Sequence, residues 1–133
     1  MEAKNNVTIL SALKAGAISG VASLVLNNIW NVIIVKTTGV VAPIITPVSI
    51  SMSCFLTAII GGLVFWGLAK FLDKASLIFV VLAAILGVLS CYGNIQPTLP
   101  DGSVTPDGFA LLTIPMHLIA AAVAAYVIPK YSK

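Results

Sequence analysis

The side chains best able to do chemistry in this sequence stand inside long apolar runs. His117 is the only histidine, Asn27 and Asn28 form a pair of amides, and Thr57 and Ser90 add hydroxyl groups. An imidazole can bind a ligand or relay a proton, and amides and hydroxyls can hold a ligand in place by hydrogen bonds. If these runs lie in a membrane, such polar groups are costly and by default mark function.

Four apolar runs must position these side chains, and each has about the 20 residues that a membrane-spanning helix needs. The runs contain no charged residue, and the 133-residue chain is 59% hydrophobic and only 8% charged. Soluble domains carry about 25% charged residues. The sequence therefore predicts an all-α, four-helix transmembrane bundle that forms a single domain over residues 1–133. The predicted spans are 15–35, 48–69, 75–95 and 108–128.

The lysines predict how this bundle is oriented. If the chain crosses four times in an up-down-up-down order, Lys36 lies alone at one end and six lysines lie at the other: Lys4, Lys14, Lys70, Lys74, Lys130 and Lys133. Cytoplasmic loops carry the excess of positive charge, so both termini are expected inside. Scattered lysines without any arginine argue against a nucleic-acid partner, and the lipid bilayer is the expected surrounding.

Helix geometry brings the polar side chains to similar depths. With about 1.5 Å of rise per residue, His117 lies roughly 14 Å below the outer start of the fourth helix, and Asn27 and Asn28 lie about 10–12 Å deep. One interpretation is a neutral histidine that hydrogen-bonds a neighbouring helix and serves packing alone. The alternative is an outward-facing polar pocket for a small solute or a proton, formed by Asn27, Asn28, Asn31, Thr57, Ser90 and His117.

Glycines and other small residues recur at three- and four-residue spacing along the predicted helices. Helices in lipid associate by close packing and interhelical hydrogen bonds, so small residues mark the contact faces. The expected packing positions are Gly16, Gly20, Gly61, Gly62 and Gly87. The short 70–74 connection predicts that helices two and three are antiparallel neighbours. The small faces exceed what one bundle needs, which also favours self-association.

The outer loop before the fourth helix contains Pro-Asp-Gly twice, at 100–102 and 106–108. This tripeptide is typical of tight turns, and a ligand or cation site that uses Asp101 and Asp107 is the alternative. Thr105 followed by Pro106 resembles a helix N-cap with proline at the first helical position. That pair predicts the start of helix four.

Catalysis is not expected, because the motifs that it needs are missing. The apolar runs contain no carboxylate, and His117 has no Ser/His/Asp arrangement around it in the sequence. Cys54 and Cys91 do not form a CxxC pair, so neither a zinc site nor a thiol redox centre is indicated. We therefore predict no enzyme activity, catalytic residue, metal or cofactor.

Several short motifs together resemble an uncharacterised family of small bacterial four-helix membrane proteins, a domain of unknown function. The resemblance covers residues 12–130 and rests on Asn27-Asn28, Gly61-Gly62, the stretch 65–70, Leu89-Ser90, Met116-His117-Leu118 and the alanine-rich run that ends at Pro129. It implies a four-span fold in the bacterial inner (plasma) membrane and brings no activity.

Two functions are consistent with these patterns. The first is a non-enzymatic module that self-associates or joins a membrane complex, as the small-residue faces suggest. The alternative is binding or transport of a small solute or proton through the pocket around His117 and Asn27/Asn28. Specific oligomers would favour the first, and a cavity beside His117 would favour the second.

Overall fold

The computed structural model describes residues 6–133, which fold into four long helices. Helix α1 spans Ile9–Thr38, α2 spans Pro47–Phe71, α3 spans Ala75–Ser90 and α4 spans Phe109–Tyr131. A short 3-10 helix, Cys91–Ile95, extends α3. All four helices, α3 with its extension, are long and apolar enough to cross a membrane, which supports a multi-pass membrane protein. Lys4, one of the orienting lysines, lies outside the described residues.

Capping boxes set the start of the first two helices. The hydroxyl of Thr8 accepts a hydrogen bond from the N–H of Ser11, and the hydroxyl of Thr46 accepts one from the N–H of Ser49. These bonds satisfy N–H groups that have no partner within the helix. Helix α1 consequently begins before the predicted span and includes Lys14, which is exposed.

The predicted start of helix four at Thr105 and Pro106 is wrong. Helix α4 begins at Phe109, after Gly108 in a left-handed conformation with φ 78°. The Thr105 hydroxyl instead donates to the carbonyl of Gln96 at 2.7 Å, closing the turn of the preceding loop. In the same loop Asp101 accepts hydrogen bonds from the hydroxyl and N–H of Ser103, which lower its pKa.

Close contact between glycines and backbone joins α1 to α2. A Cβ on Gly16 would lie 2.7 Å from the carbonyl oxygen of Ala58, and one on Gly20 would lie 3.0 Å from the Cα of Phe55. Gly62 packs against the backbone of Ala12 in the same way. Because Gly16 meets Ala58 while the earlier Ala12 meets the later Gly62, the two helices run antiparallel.

Two apolar clusters form the core, one at each end of the bundle. The loop end, where the 39–46 and 96–108 connections lie, contains buried Ile34, Ile50 and Leu112. The turn end, where the 72–74 connection and the C-terminus lie, contains buried Phe65, Phe79 and Ile128. The layer between them holds most of the buried polar side chains of α1.

The helices are arranged as an incomplete ring. Helix α2 packs on α1, α1 on α4, and α4 on α3, whereas contacts between α2 and α3 are sparse. The rings of Phe65 and Phe79 meet edge to face at the turn end, with centroids 5.4 Å apart. The sequence predicted α2 and α3 as neighbours, but they touch mainly near their short connection and leave a gap between them.

Candidate functional site

The gap between α2 and α3 is a cleft of about 530 Å³, within the usual size range of small-molecule sites. Helix α4 forms its floor, and α1 contributes Ser23 and Asn27. The Phe65–Phe79 contact closes the turn end. Ser53 and Thr57 on one wall and Ser90 on the other are exposed, so the cleft is open on the side that faces lipid if the four helices span a bilayer.

One wall of the cleft carries a row of hydroxyl groups. Ser49, Ser53 and Thr57 follow one another at four-residue spacing on α2, and this spacing places them on one helix face. Ser90 and Asn94 stand on the opposite wall, at the end of α3 and in the 3-10 extension. These five side chains give the half of the cleft near the loop end its polar groups, and isoleucines of the 39–46 connection and of α2 line the same half.

The other half of the cleft is apolar and has small side chains. Phe79 and Ala83 of α3 face this part, together with Ala120, Ala121 and Ala124 of α4. Gly87 permits the close approach of α3 and α4, since a Cβ there would lie 2.5 Å from the Cβ of Ala121. Gly61 lines the cleft near Phe79 and Ile128. The cleft therefore changes from polar to apolar along its length.

His117 lies on the floor of the cleft, at the boundary between its polar and apolar halves. The side chain is partly buried, and neither ring nitrogen forms a hydrogen bond with any residue between 6 and 133. Among residues 6–133, no charged side chain lines the cleft. The imidazole is thus available to a ligand, which the packing interpretation of His117 did not anticipate.

Asn27 joins three helices behind the floor of the cleft. Its side-chain N–H₂ group donates to the sulfur of Cys54 on α2 and to the carbonyl of Met116 on α4, both at 3.2 Å. The residue is 2% exposed, yet its side-chain oxygen has no hydrogen-bond partner among the described residues. A buried acceptor without a donor is costly, and this oxygen is enclosed behind the floor rather than exposed to the cleft.

The structure brings together four of the six predicted pocket residues, namely Asn27, Thr57, Ser90 and His117. Asn28 lies elsewhere, because its side chain donates to the carbonyl of Leu24 and the hydroxyl of Ser51. Asn31 is buried one helical turn closer to the loop end and does not line the cleft. Asn27 and Asn28 are adjacent on a helix, so their side chains diverge by about 100°.

Ser49, Ser53 and Asn94 line the cleft but are not among the predicted pocket residues. The four-residue spacing of Ser49, Ser53 and Thr57 is visible in the sequence, where it fits a helix-packing face equally well. Small polar residues serve both purposes in membrane helices, and only the gap between α2 and α3 distinguishes them. Asn94 stood at the end of a predicted span, where its direction could not be inferred.

The two cysteines occupy separate places. Cys54 is buried beside Asn27, and the Cys91 thiol donates to the carbonyl of Gly87 at 3.2 Å. Both thiols are free. The part of the chain that the structure describes contains no group of three or more His, Cys, Asp or Glu side chains that could hold a metal ion. The cleft can form hydrogen bonds with a small molecule and can enclose it.

No family model, no curated protein and no solved structure matches this chain. Function is therefore inferred from the chemistry of the cleft. That chemistry combines an uncharged polar half, an apolar half and an opening on the lipid-facing side.

Proposed function

We propose that this protein is a small, non-enzymatic membrane protein that binds an amphipathic small molecule in the cleft between α2 and α3. It lies in a bacterial inner membrane as an up-down-up-down bundle with both termini in the cytoplasm. The observation on which binding depends is the cleft itself, in which the His117 side chain has no hydrogen-bond partner among the described residues.

The shape of the cleft favours a membrane-dissolved molecule over a solute from water. A water-borne solute would enter at the loop end, and its polar groups would find no hydrogen-bond partners in the apolar half of the cleft. A molecule with a polar head and an apolar tail matches both halves. It also enters from the bilayer between α2 and α3, so no opening of the helices is needed.

A pair of neighbouring alanines provides the test. Ala83 lines the cleft, whereas Ala84 is exposed on α3 and does not line it. We expect Ala83→Phe to fill the apolar half and abolish binding, and Ala84→Phe to leave binding unchanged. The measurement is native mass spectrometry of the full chain after gentle extraction from the membrane, which shows any retained molecule as added mass.

Both variants should keep the helical circular-dichroism spectrum of the wild type, because Phe at either position enters open space or lipid. An added mass present in the wild type and Ala84→Phe but absent in Ala83→Phe supports the proposal. If the wild type retains only bulk lipid, or if both variants retain the same added mass, the cleft is not a binding site.

Self-association is the second candidate function. A shallow apolar groove on the outer face of α1, lined by Ala17, Val21, Ala22 and Val25, favours it, because small residues let a second helix approach. The glycines that first motivated self-association pack within one chain, however: Gly16, Gly20 and Gly62 join α1 to α2. The same native mass spectra distinguish the two functions, since a specific dimer would appear at twice the chain mass.

A further inference from the structure

Some polar groups around the cleft have a free hydrogen-bond donor and others have only a free acceptor. This difference specifies which hydrogen bonds the bound head group must form. A hydroxyl group has one proton and two acceptor lone pairs. Where that proton already serves a carbonyl of the protein, only acceptor capacity is left for a ligand. The hydrogen bonds within the protein therefore determine which donors and acceptors of the polar half are free.

On both walls the hydroxyl protons are already used. The Thr57 hydroxyl donates to the carbonyl of Ser53, and the Ser90 hydroxyl donates to the carbonyl of Gly87 at 2.8 Å. The Ser49 hydroxyl likewise donates to the carbonyl of Ile44 at 2.9 Å. Each of these side chains presents lone pairs alone. The unpartnered oxygen of Asn27 is enclosed behind the floor and is not presented to the cleft.

Free donors face the same cleft. A neutral His117 has one N–H group and one acceptor nitrogen, and the hydroxyls of Ser23 and Ser53 form no hydrogen bond with any residue between 6 and 133. The Asn94 amide donates one of its two N–H groups to the carbonyl of Ser90, so the other is free. The cleft thus offers both donors and acceptors. A head group that both donates and accepts can use both sets, whereas one that only accepts leaves the oxygens on the walls unused.

The lack of charged side chains in the lining also restricts the kind of head group that the cleft can bind. In the part of the chain that the structure describes, no lysine or acidic residue lines the cleft. A carboxylate or phosphate would face several oxygen acceptors with no cation, and an ammonium group would lack a counter-ion. Burial of an unpaired charge is far more costly than burial of a neutral hydrogen-bonded group. Carbonyl, ether and quinone heads are neutral but cannot donate.

We infer that the ligand of the cleft is a lipid-like molecule whose head group is a neutral alcohol, with a hydrocarbon tail along the alanine-lined half. This assignment rests on the proposed binding function and specifies its ligand class. The head hydroxyl donates to one of the acceptors formed by Ser49, Thr57 and Ser90, and it accepts from His117 or Ser53. A long-chain alcohol and a diacylglycerol share this chemistry.

The test uses photoactivatable probes with one tail and different heads, on the full chain in lipid nanodiscs. The probes are a long-chain alcohol carrying a diazirine in its tail, its methyl ether and the corresponding fatty acid. Labelled residues are located by peptide mass spectrometry. We expect the alcohol to label the walls of the cleft on α2 and α3 about tenfold more than either of the other probes, since one lost hydrogen bond to a buried group costs about that factor.

Matched threonines provide the control. Thr57→Val removes an acceptor in the cleft while keeping the side-chain shape, and it should lower labelling by the alcohol about three- to tenfold with little change for the methyl ether. Thr37 also donates to a carbonyl four residues earlier but lies on α1 outside the cleft. The Thr37→Val variant should be labelled by the alcohol to the same extent as the wild type. Ser90→Ala repeats the test on the opposite wall.

Each outcome has one consequence. If the ether or the fatty acid labels the cleft as strongly as the alcohol, the alcohol assignment is overturned while binding in the cleft stands. If no probe labels the cleft above the lipid-facing surface of α1, both the assignment and the proposed function fail. Unlabelled long-chain alcohol and diacylglycerol, used as competitors, then show which of the two sources of the head group is preferred.

Discussion

Asn27 shows how one buried amide can fix the position of neighbouring helices. Its N–H₂ group holds α2 and α4 through Cys54 and Met116, while its enclosed oxygen is left without a partner among the described residues. Trp30 adds a second bond from α1 to α4, with its indole N–H donating to the carbonyl of Leu112 at 3.0 Å. The same face of α1 therefore fixes the floor of the cleft.

We expect Asn27→Ala to destabilise the bundle by about 0.5–1.5 kcal/mol, the usual range for an interhelical hydrogen bond in a membrane. Asn94→Ala is the matched control, because the Asn94 amide donates only to the carbonyl of Ser90, four residues earlier. The measurement is the unfolding free energy in mixed detergent micelles. Equal stability of Asn27→Ala and the wild type would contradict the role of Asn27 as a junction.

At the scale of the helices, backbone contact at glycine decides which pairs pack tightly. Gly16 and Gly62 bring α1 and α2 together so closely that neither position has room for a Cβ. Gly87 does the same for α3 and α4. No glycine joins α2 to α3 in this way over the part of the chain described. The distribution of close contacts explains why the ring of helices is open on that side.

The glycines of α2 test this explanation. We expect Gly62→Ala to destabilise the protein by about 1–3 kcal/mol, because the added methyl group collides with the backbone of Ala12 and overpacking has costs of this size. Gly67→Ala, on the same helix with nothing within 4 Å of the added Cβ, should be neutral or slightly stabilising. Thermal unfolding followed by circular dichroism measures both. Similar melting temperatures for the two variants would refute the close-contact argument.

At the scale of the whole molecule, aromatic and lysine side chains gather at the turn end. The Lys70 ammonium lies 5.4 Å from the centroid of the Trp66 ring, and that of Lys130 donates to the Tyr126 hydroxyl at 2.7 Å. Lysines next to aromatic rings are typical of a membrane interface. Together with the positive-inside rule they favour a cytoplasmic turn end.

This orientation predicts which loops a membrane-impermeant reagent can reach. In a background of Cys54→Ala and Cys91→Ala, we expect Ser103→Cys to react with an impermeant maleimide on intact cells. Asp73→Cys should react only after the membrane is permeabilised. Both sites are exposed in the protein, so access depends on the side of the membrane. The reverse pattern would show that the loop end faces the cytoplasm.

The sequence alone was sufficient for the helices, because they follow from local properties. Four apolar runs without charge predict four spans, and the structure shows four helices long and apolar enough to cross a membrane. The sequence predicted the ends of the helices less reliably. The start of α4 depends on Gly108 and on the loop bond from Thr105 to Gln96, which a local cap pattern does not reveal.

Depth along each helix was predictable too, since every residue adds the same rise. Depth placed His117, Asn27, Thr57 and Ser90 in one layer, but the direction in which each side chain points was decided only by tertiary packing. The glycine contacts of α1 with α2 and of α3 with α4 rotate the helices so that Asn28 and Asn31 turn away while Ser53 and Asn94 face the gap. The cleft exists because α2 and α3 lack such a contact, and packing between distant segments is not encoded in local spacing.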